Sequence, residues 1–224
     1  MASSYMVPDL PLFGEALLSR SDGAACRVRF EEEIKRSRFI TTLARADSRE
    51  RALAFVDCVR REFPDARHNC WAYAVGRPGD TARVGQSDDG EPHGTAGRPM
   101  LAQLLYGGVG ELVAVTTRYF GGIKLGTGGL TRAYQNGVKQ ALELLPVTEK
   151  KVLVRALAEV DYAHADRFYR LLPRFQARVV EDDFGARALF TLELPEDMAE
   201  PCREALREAT DGASELLLTE EEKG

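Results

Sequence analysis

Residues 118–134, "RYFGGIKLGTGGLTRAY", set five glycines within nine positions, between two segments of opposite habit. The run before them, "ELVAVTTRYF" (111–120), is β-branched and aromatic and reads as a strand. After them, Leu130, Ala133, Tyr134, Val138, Ala141, Leu142 and Leu145 recur at helical spacing, while Arg132, Gln135, Lys139 and Glu143 face elsewhere. Pro146 ends the pattern. Strand, glycine bend and helix in that order specify the kernel of an α+β domain. The bend also collects free backbone N–H groups at the positive end of a helix dipole, a place that suits an anion.

Working outward, residues 28–34 and 39–44 read as two strands joined by the basic turn Lys35-Arg36-Ser37-Arg38. Ser48 is placed to cap a helix bearing Leu53, Phe55, Val56 and Val59, which Pro64 closes. "NCWAYAVG" (69–76) is a short aromatic strand, and residues 76–97 are expected as one long polar loop. Thr95 is expected to open the next helix, carrying Met100, Leu101, Leu104 and Leu105, with Gly107-Gly108 as its stop. Residues 1–24 read as a loose arm, 25–146 as the first domain.

The second half keeps a regular rhythm. Strand 151–161, helix 164–172, strand 177–181, turn 182–186, strand 187–195, helix 199–209 and strand 214–219 give β-α-β-β-α-β. That order is ferredoxin-like, two helices on one face of a four-stranded antiparallel sheet. It defines a second domain over 150–219, followed by an acidic tail at 220–224.

Bulk properties narrow the class. The 224 residues are 44% apolar and 29% charged, ordinary for a globular chain. No secretory leader pattern and no run of membrane-spanning length occurs. The four cysteines show no paired spacing, so the expected setting is the reducing cytoplasm. The net charge of −5 is uneven: residues 1–149 carry 19 basic against 18 acidic groups, whereas residues 150–224 carry 11 against 17. A basic face on the first domain is therefore compatible with the total, and the acidic second domain is a candidate docking surface for a protein partner.

The glycine segment fails both nucleotide motifs. Gly121 to Gly126 has P-loop spacing, but Thr127 stands where lysine is required, and Thr131 stands where a dinucleotide fingerprint needs its third glycine. No cofactor is called for. What remains open is an anion site, formed by the amides of Gly121, Gly122, Gly126, Gly128 and Gly129 with Arg118, Lys124 and Arg132, against a tight turn with no ligand. Lys35, Arg36 and Arg38 extend the site if the hairpin lies close. Phe120 and Tyr119, if exposed, offer stacking surfaces for bases. In "SDDGEPHGTAG" (87–97), Asp88, Asp89 and His93 are candidate acid/base groups, against the reading of a solvated turn. His68, Cys70 and His93 lack a fourth partner at metal-ligand spacing, so no metal is expected.

Four segments in this order, "EEIKRSRFI", "PDARHNCWAY", "SDDGEPHGTAGRPML" and "RYFGGIKLGTGGLTRAY", resemble the IMPACT family in its bacterial, YigZ-like branch. The resemblance covers about residues 28–145, and the second half resembles the small C-terminal domain of bacterial members. It implies a first domain like the second domain of a small-subunit ribosomal protein, a sheet with two packed helices. It also implies a ferredoxin-like second domain similar to the last domains of an elongation factor. The function it implies is a translation-associated factor, more a non-enzymatic binder of RNA or the ribosome than an enzyme. The partner-binding module of the eukaryotic relatives is not visible here. The alternative is an enzyme acting on a small phosphorylated substrate between the acidic and glycine loops.

Overall fold

The apolar pattern of the first half resolves into a five-stranded antiparallel sheet with helices on both faces. The computed structural model describes residues 3–14 and 26–219. Contacts divide the chain into two compact units, residues 5–150 and a second formed mainly by the residues from 151 onward. In the first unit the strands are β1 (Ser4–Pro8), β2 (Arg27–Ile34), β3 (Ser37–Arg45), β4 (His68–Ala74), β5 (Val84–Ser87), β6 (Leu112–Tyr119) and β7 (Val147–Lys151). The helices are α1 (Arg49–Glu62), α2 (Gly97–Tyr106) and α3 (Thr127–Glu143). The main sheet runs β2-β3-β6-β4-β5, and β1 pairs with β7 in a separate ribbon.

Central strands buried on both faces need apolar side chains at consecutive positions, which explains the dense runs in β3 and β6. One face, through Phe39, Leu43, Ala72 and Ala114, packs against Met100 and Leu104 of α2 and Leu130, Tyr134 and Val138 of α3. The other, through Ala44, Tyr73, Val113 and Val115, packs against Phe55, Val56 and Val59 of α1. Ser48 caps α1 by accepting the Arg51 N–H at 3.3 Å. The β2–β3 turn is two residues long, with Lys35 and Arg36 both left-handed at φ 49° and 63°, the conformation that matches strand twist in a tight hairpin. Gly137 lets α3 approach β3 closely, since a Cβ there would lie 2.4 Å from Thr41 Oγ1.

The second unit has β8 (Leu153–Val160), α4 (Ala165–Leu171), β9 (Arg178–Phe184), β10 (Ala188–Pro195), α5 (Ala199–Ala209) and β11 (Glu215–Leu218). Its antiparallel sheet has the order β11-β8-β10-β9. Both helices cover one face: Phe168, Cys202 and Leu206 pack against Ala156, Phe190, Leu192 and Leu216. This is the ferredoxin-like arrangement expected from the element order.

Three expectations require correction. The long loop at 76–97 contains β5, whose four residues complete the sheet edge against β4; its Val-Gly-Gln-Ser sequence is too short and polar to show strand periodicity. Ser4–Pro8 is a strand rather than loose arm, held by β7 and by a Gly110 N–H bond to the Met6 carbonyl at 2.8 Å. Thr95 does not cap α2, because its hydroxyl bonds back to the Pro92 carbonyl at 2.6 Å. The arm residues 15–24 and the tail 220–224 lie outside the described residues.

Candidate functional site

The glycine loop leaves β6 and enters α3, but its arginine turns inward. Arg118 is 6% exposed, and its Nη1 lies 2.6 Å from Glu91 Oε1. The Tyr134 hydroxyl donates to the same oxygen at 2.9 Å. The guanidinium lies 5.4 Å from the Phe39 ring centre and 5.6 Å from that of Phe120. Arg118 thus ties the acidic loop to β6 and α3 and does not reach outward, which corrects its expected role as an anion ligand. Strand alternation decides this: at the end of β6, residue 118 points to the face covered by α2 and α3, where it meets Glu91 and Tyr134.

The bend itself is only partly occupied by the protein. The Gly121 N–H donates to Ser37 Oγ at 3.2 Å, and a Cβ on Gly121 would sit 1.9 Å from the Arg36 carbonyl carbon. The β2–β3 turn therefore rests directly against the bend. Gly122 and Gly126 are left-handed, at φ 87° and 74°. Gly126 precedes α3 and no side chain caps that helix. Gly126 and Gly128 are exposed and Gly129 half-buried, with Lys124 exposed beside them.

Next to this bend lies an open groove of about 630 Å³. Arg132, Gln135, Asn136 and Lys139 line one wall, since spacings of three, four and seven put them on one stripe of α3. Lys35 comes from the hairpin turn and Gln103 from α2, with Ile34, Leu125, Gly129 and Ala133 completing the lining. Three cations and three carboxamides line the groove, without a carboxylate. At its border Asn136 donates to Glu32 Oε2 at 3.0 Å, and burial raises the pKa of that carboxyl despite the bond. Of the expected basic residues, Lys35 and Arg132 meet in the groove. Arg36 packs by its backbone on Gly121, and Arg38 pairs with Glu31 at 2.5 Å. Gln103, Gln135, Asn136 and Lys139 were not singled out as ligands, although the polar stripe of α3 was legible in the spacing of Arg132, Gln135 and Lys139.

In the acidic loop, where acid/base candidates stood against a solvated turn, the two aspartates are engaged in bonds that hold the fold. Asp88 accepts the N–H groups of Gly94, Ala96 and Gly97 at 2.7, 3.0 and 2.8 Å and so caps α2 from a distance. Burial acts to raise its carboxyl pKa, but those three donors outweigh it and hold the value below the ordinary one. Asp89, left-handed at φ 43°, bonds Arg60 at 2.8 Å and the Asn69 N–H at 2.7 Å. His93 is fully exposed, 3.8 Å from Asp88. Cys70 is fully buried, its thiol directed at the Asp88 carbonyl at 2.9 Å and at Tyr134, and burial pushes its pKa up. His68 instead contacts the Asp89 carbonyl at 2.9 Å, so no Cys–His pair forms. Among the described residues no three His, Cys, Asp or Glu side chains are placed to hold a metal, and no helix is long and apolar enough to cross a membrane.

Comparison with known proteins covers both units. The Impact N-terminal domain matches residues 35–142, and a domain of unknown function, DUF1949, matches residues 159–213. The IMPACT family member YigZ of Escherichia coli is 46% identical over 88% of this chain and 97% of its own length. The Bacillus subtilis member YvyE is 35% identical over 82% of this chain and 83% of its own. A crystal structure titled only as that of a hypothetical protein aligns at a TM-score of 0.71 and 41% identity, covering 99% of this chain and 100% of that one.

Proposed function

This chain belongs to the IMPACT family, and from that premise we infer that it is a translation-associated factor that binds RNA, including RNA of the ribosome, through the groove beside α3. The observation that carries this reading is the groove's lining: Lys35, Arg132 and Lys139 with Gln103, Gln135 and Asn136, in an open cleft with no carboxylate. Cations spread along an open cleft suit a chain of phosphates, while an enzyme for a small substrate needs an enclosed site and acid/base groups. The carboxylates best placed in sequence for such chemistry, Asp88 and Asp89, are engaged by backbone N–H groups and Arg60. Lys124, exposed next to Leu125 of the lining, and the uncapped α3 N-terminus would extend the phosphate track. Leu125 and the carboxamides supply contacts to sugars and bases without a fixed sequence code.

The test is a salt titration of fluorescence anisotropy with a labelled oligouridylate. Each single-stranded phosphate contact contributes about 0.7 to the slope of log K against log salt, so replacing Lys35, Arg132 and Lys139 together by alanine lowers the slope by about 2. An unchanged slope in a folded triple variant removes the groove from consideration.

A further inference from the structure

The ferredoxin-like unit leaves one face of its sheet without a covering layer. Both helices occupy the face carrying Ala156, Phe190, Leu192 and Leu216. On the opposite face the register sets Leu217, Leu157, Thr191 and Glu181 side by side in one row, and Glu215, Glu159, Leu189 and Asp183 in the next. Leu189 and Leu217 are 40% and 54% exposed, and Leu157 between them is half-buried. An open antiparallel face is ordinarily polar at such positions. Here Leu217, Leu157 and Leu189 form an apolar diagonal across β11, β8 and β10.

The rim is acidic. Glu181 and Asp183 stand at the β9 edge and Glu215 at the β11 edge, all exposed and, among the described residues, without an ion pair. Glu159 and Glu193, by contrast, are paired with Arg187 at 3.4 Å and Arg178 at 2.5 Å. An apolar strip with acids beside it on β11 and β9 has the anatomy of a protein interface.

We propose that this face docks a segment of another protein in which apolar side chains are flanked on both sides by lysine or arginine. The edges are three strand spacings apart, about 14 Å, which an extended segment of about four or five residues spans. RNA fits poorly, because the acids repel phosphate and none of the outward residues in these two rows is aromatic. A symmetric pair of copies fits poorly too, since self-docking across a two-fold axis brings acidic rims together.

The experiment uses the full chain and a fluorescein-labelled peptide with two leucines flanked by lysines. A serine-for-leucine peptide and a glutamate-for-lysine peptide are its controls. The expected result is saturable binding of the first, at least tenfold weaker binding of the other two, and a further tenfold loss in the Glu181→Lys, Asp183→Lys, Glu215→Lys variant. A second variant, Leu189→Ser with Leu217→Ser, is expected to lose binding while keeping its thermal midpoint. Equal binding of the leucine and serine peptides overturns the proposal, as does undiminished binding by both variants. Sedimentation as a dimer that the leucine variant abolishes, or RNA competing for the same face, overturns it as well.

Discussion

Replacing Arg118 by methionine separates two opposed accounts of the glycine segment. If residue 118 were a ligand for phosphate, its loss would weaken RNA binding and leave stability nearly untouched. The structure demands the reverse. Arg118 and Glu91 are 7% and 2% exposed in their side chains and 2.6 Å apart, so Arg118→Met strands a buried carboxylate whose other donor is Tyr134. Removing one partner of such a pair costs about 3–5 kcal/mol. For a unit of this size each kcal/mol lowers the melting temperature by about 2–4 °C, so the expected fall is about 6–20 °C. Methionine fills much of the space between Phe39 and Phe120, so most of this loss is electrostatic. Arg118→Met with Glu91→Met is expected to recover part of the loss, because no charge is left buried alone. Urea unfolding of the two singles and the double, with RNA anisotropy on each folded variant, measures both quantities. A single variant less than about 1 kcal/mol destabilised but unable to bind RNA would refute the reasoning.

Other substitutions probe the remaining supports. Asp88→Ala removes the acceptor for three N–H groups and is expected to cost about 2–3 kcal/mol at neutral pH. Because the folded Asp88 pKa is depressed, its contribution is complete above the unfolded carboxyl value of about 3.9 and fades as pH falls through the lower folded value. The gap between wild type and Asp88→Ala in urea midpoint should therefore narrow in strong acid; a constant gap contradicts the capping account. Gly121→Ala drives a Cβ into the Arg36 backbone, whereas a Cβ at Gly128 meets open space inside a helix. The first is expected to destabilise by more than about 2 kcal/mol and to shift Lys35 out of the groove, the second to stabilise by about 0.5–1 kcal/mol, both read by thermal melting. Cys70, buried with a raised pKa, and Cys202, pushed up to about 11, should resist iodoacetamide at pH 8 until urea unfolds the protein. Mass spectrometry of labelled peptides checks this.

What could be read from the chain alone was whatever depends on neighbours along it. Helical spacing from Leu130 to Leu145 placed α3, and alternation after Leu153 placed the strands of the second unit, because periodicity is a local consequence of burying one face. The resemblance to the IMPACT family was also legible, carried by four short motifs. Strand β5 and the β1–β7 ribbon escaped, since short edge strands owe their existence to a partner distant in sequence. The site divided along the same line. That glycines 121–129 bend the chain, and that residues 132, 135 and 139 share a polar stripe, follows from residue type and spacing. That Arg118 faces Glu91, that Asp88 holds α2, and that Lys35 joins Arg132 across a groove follows only from long-range packing. Charge is written in the sequence, but whether a cation meets solvent or a buried carboxylate is decided by which face of the strand the fold turns inward.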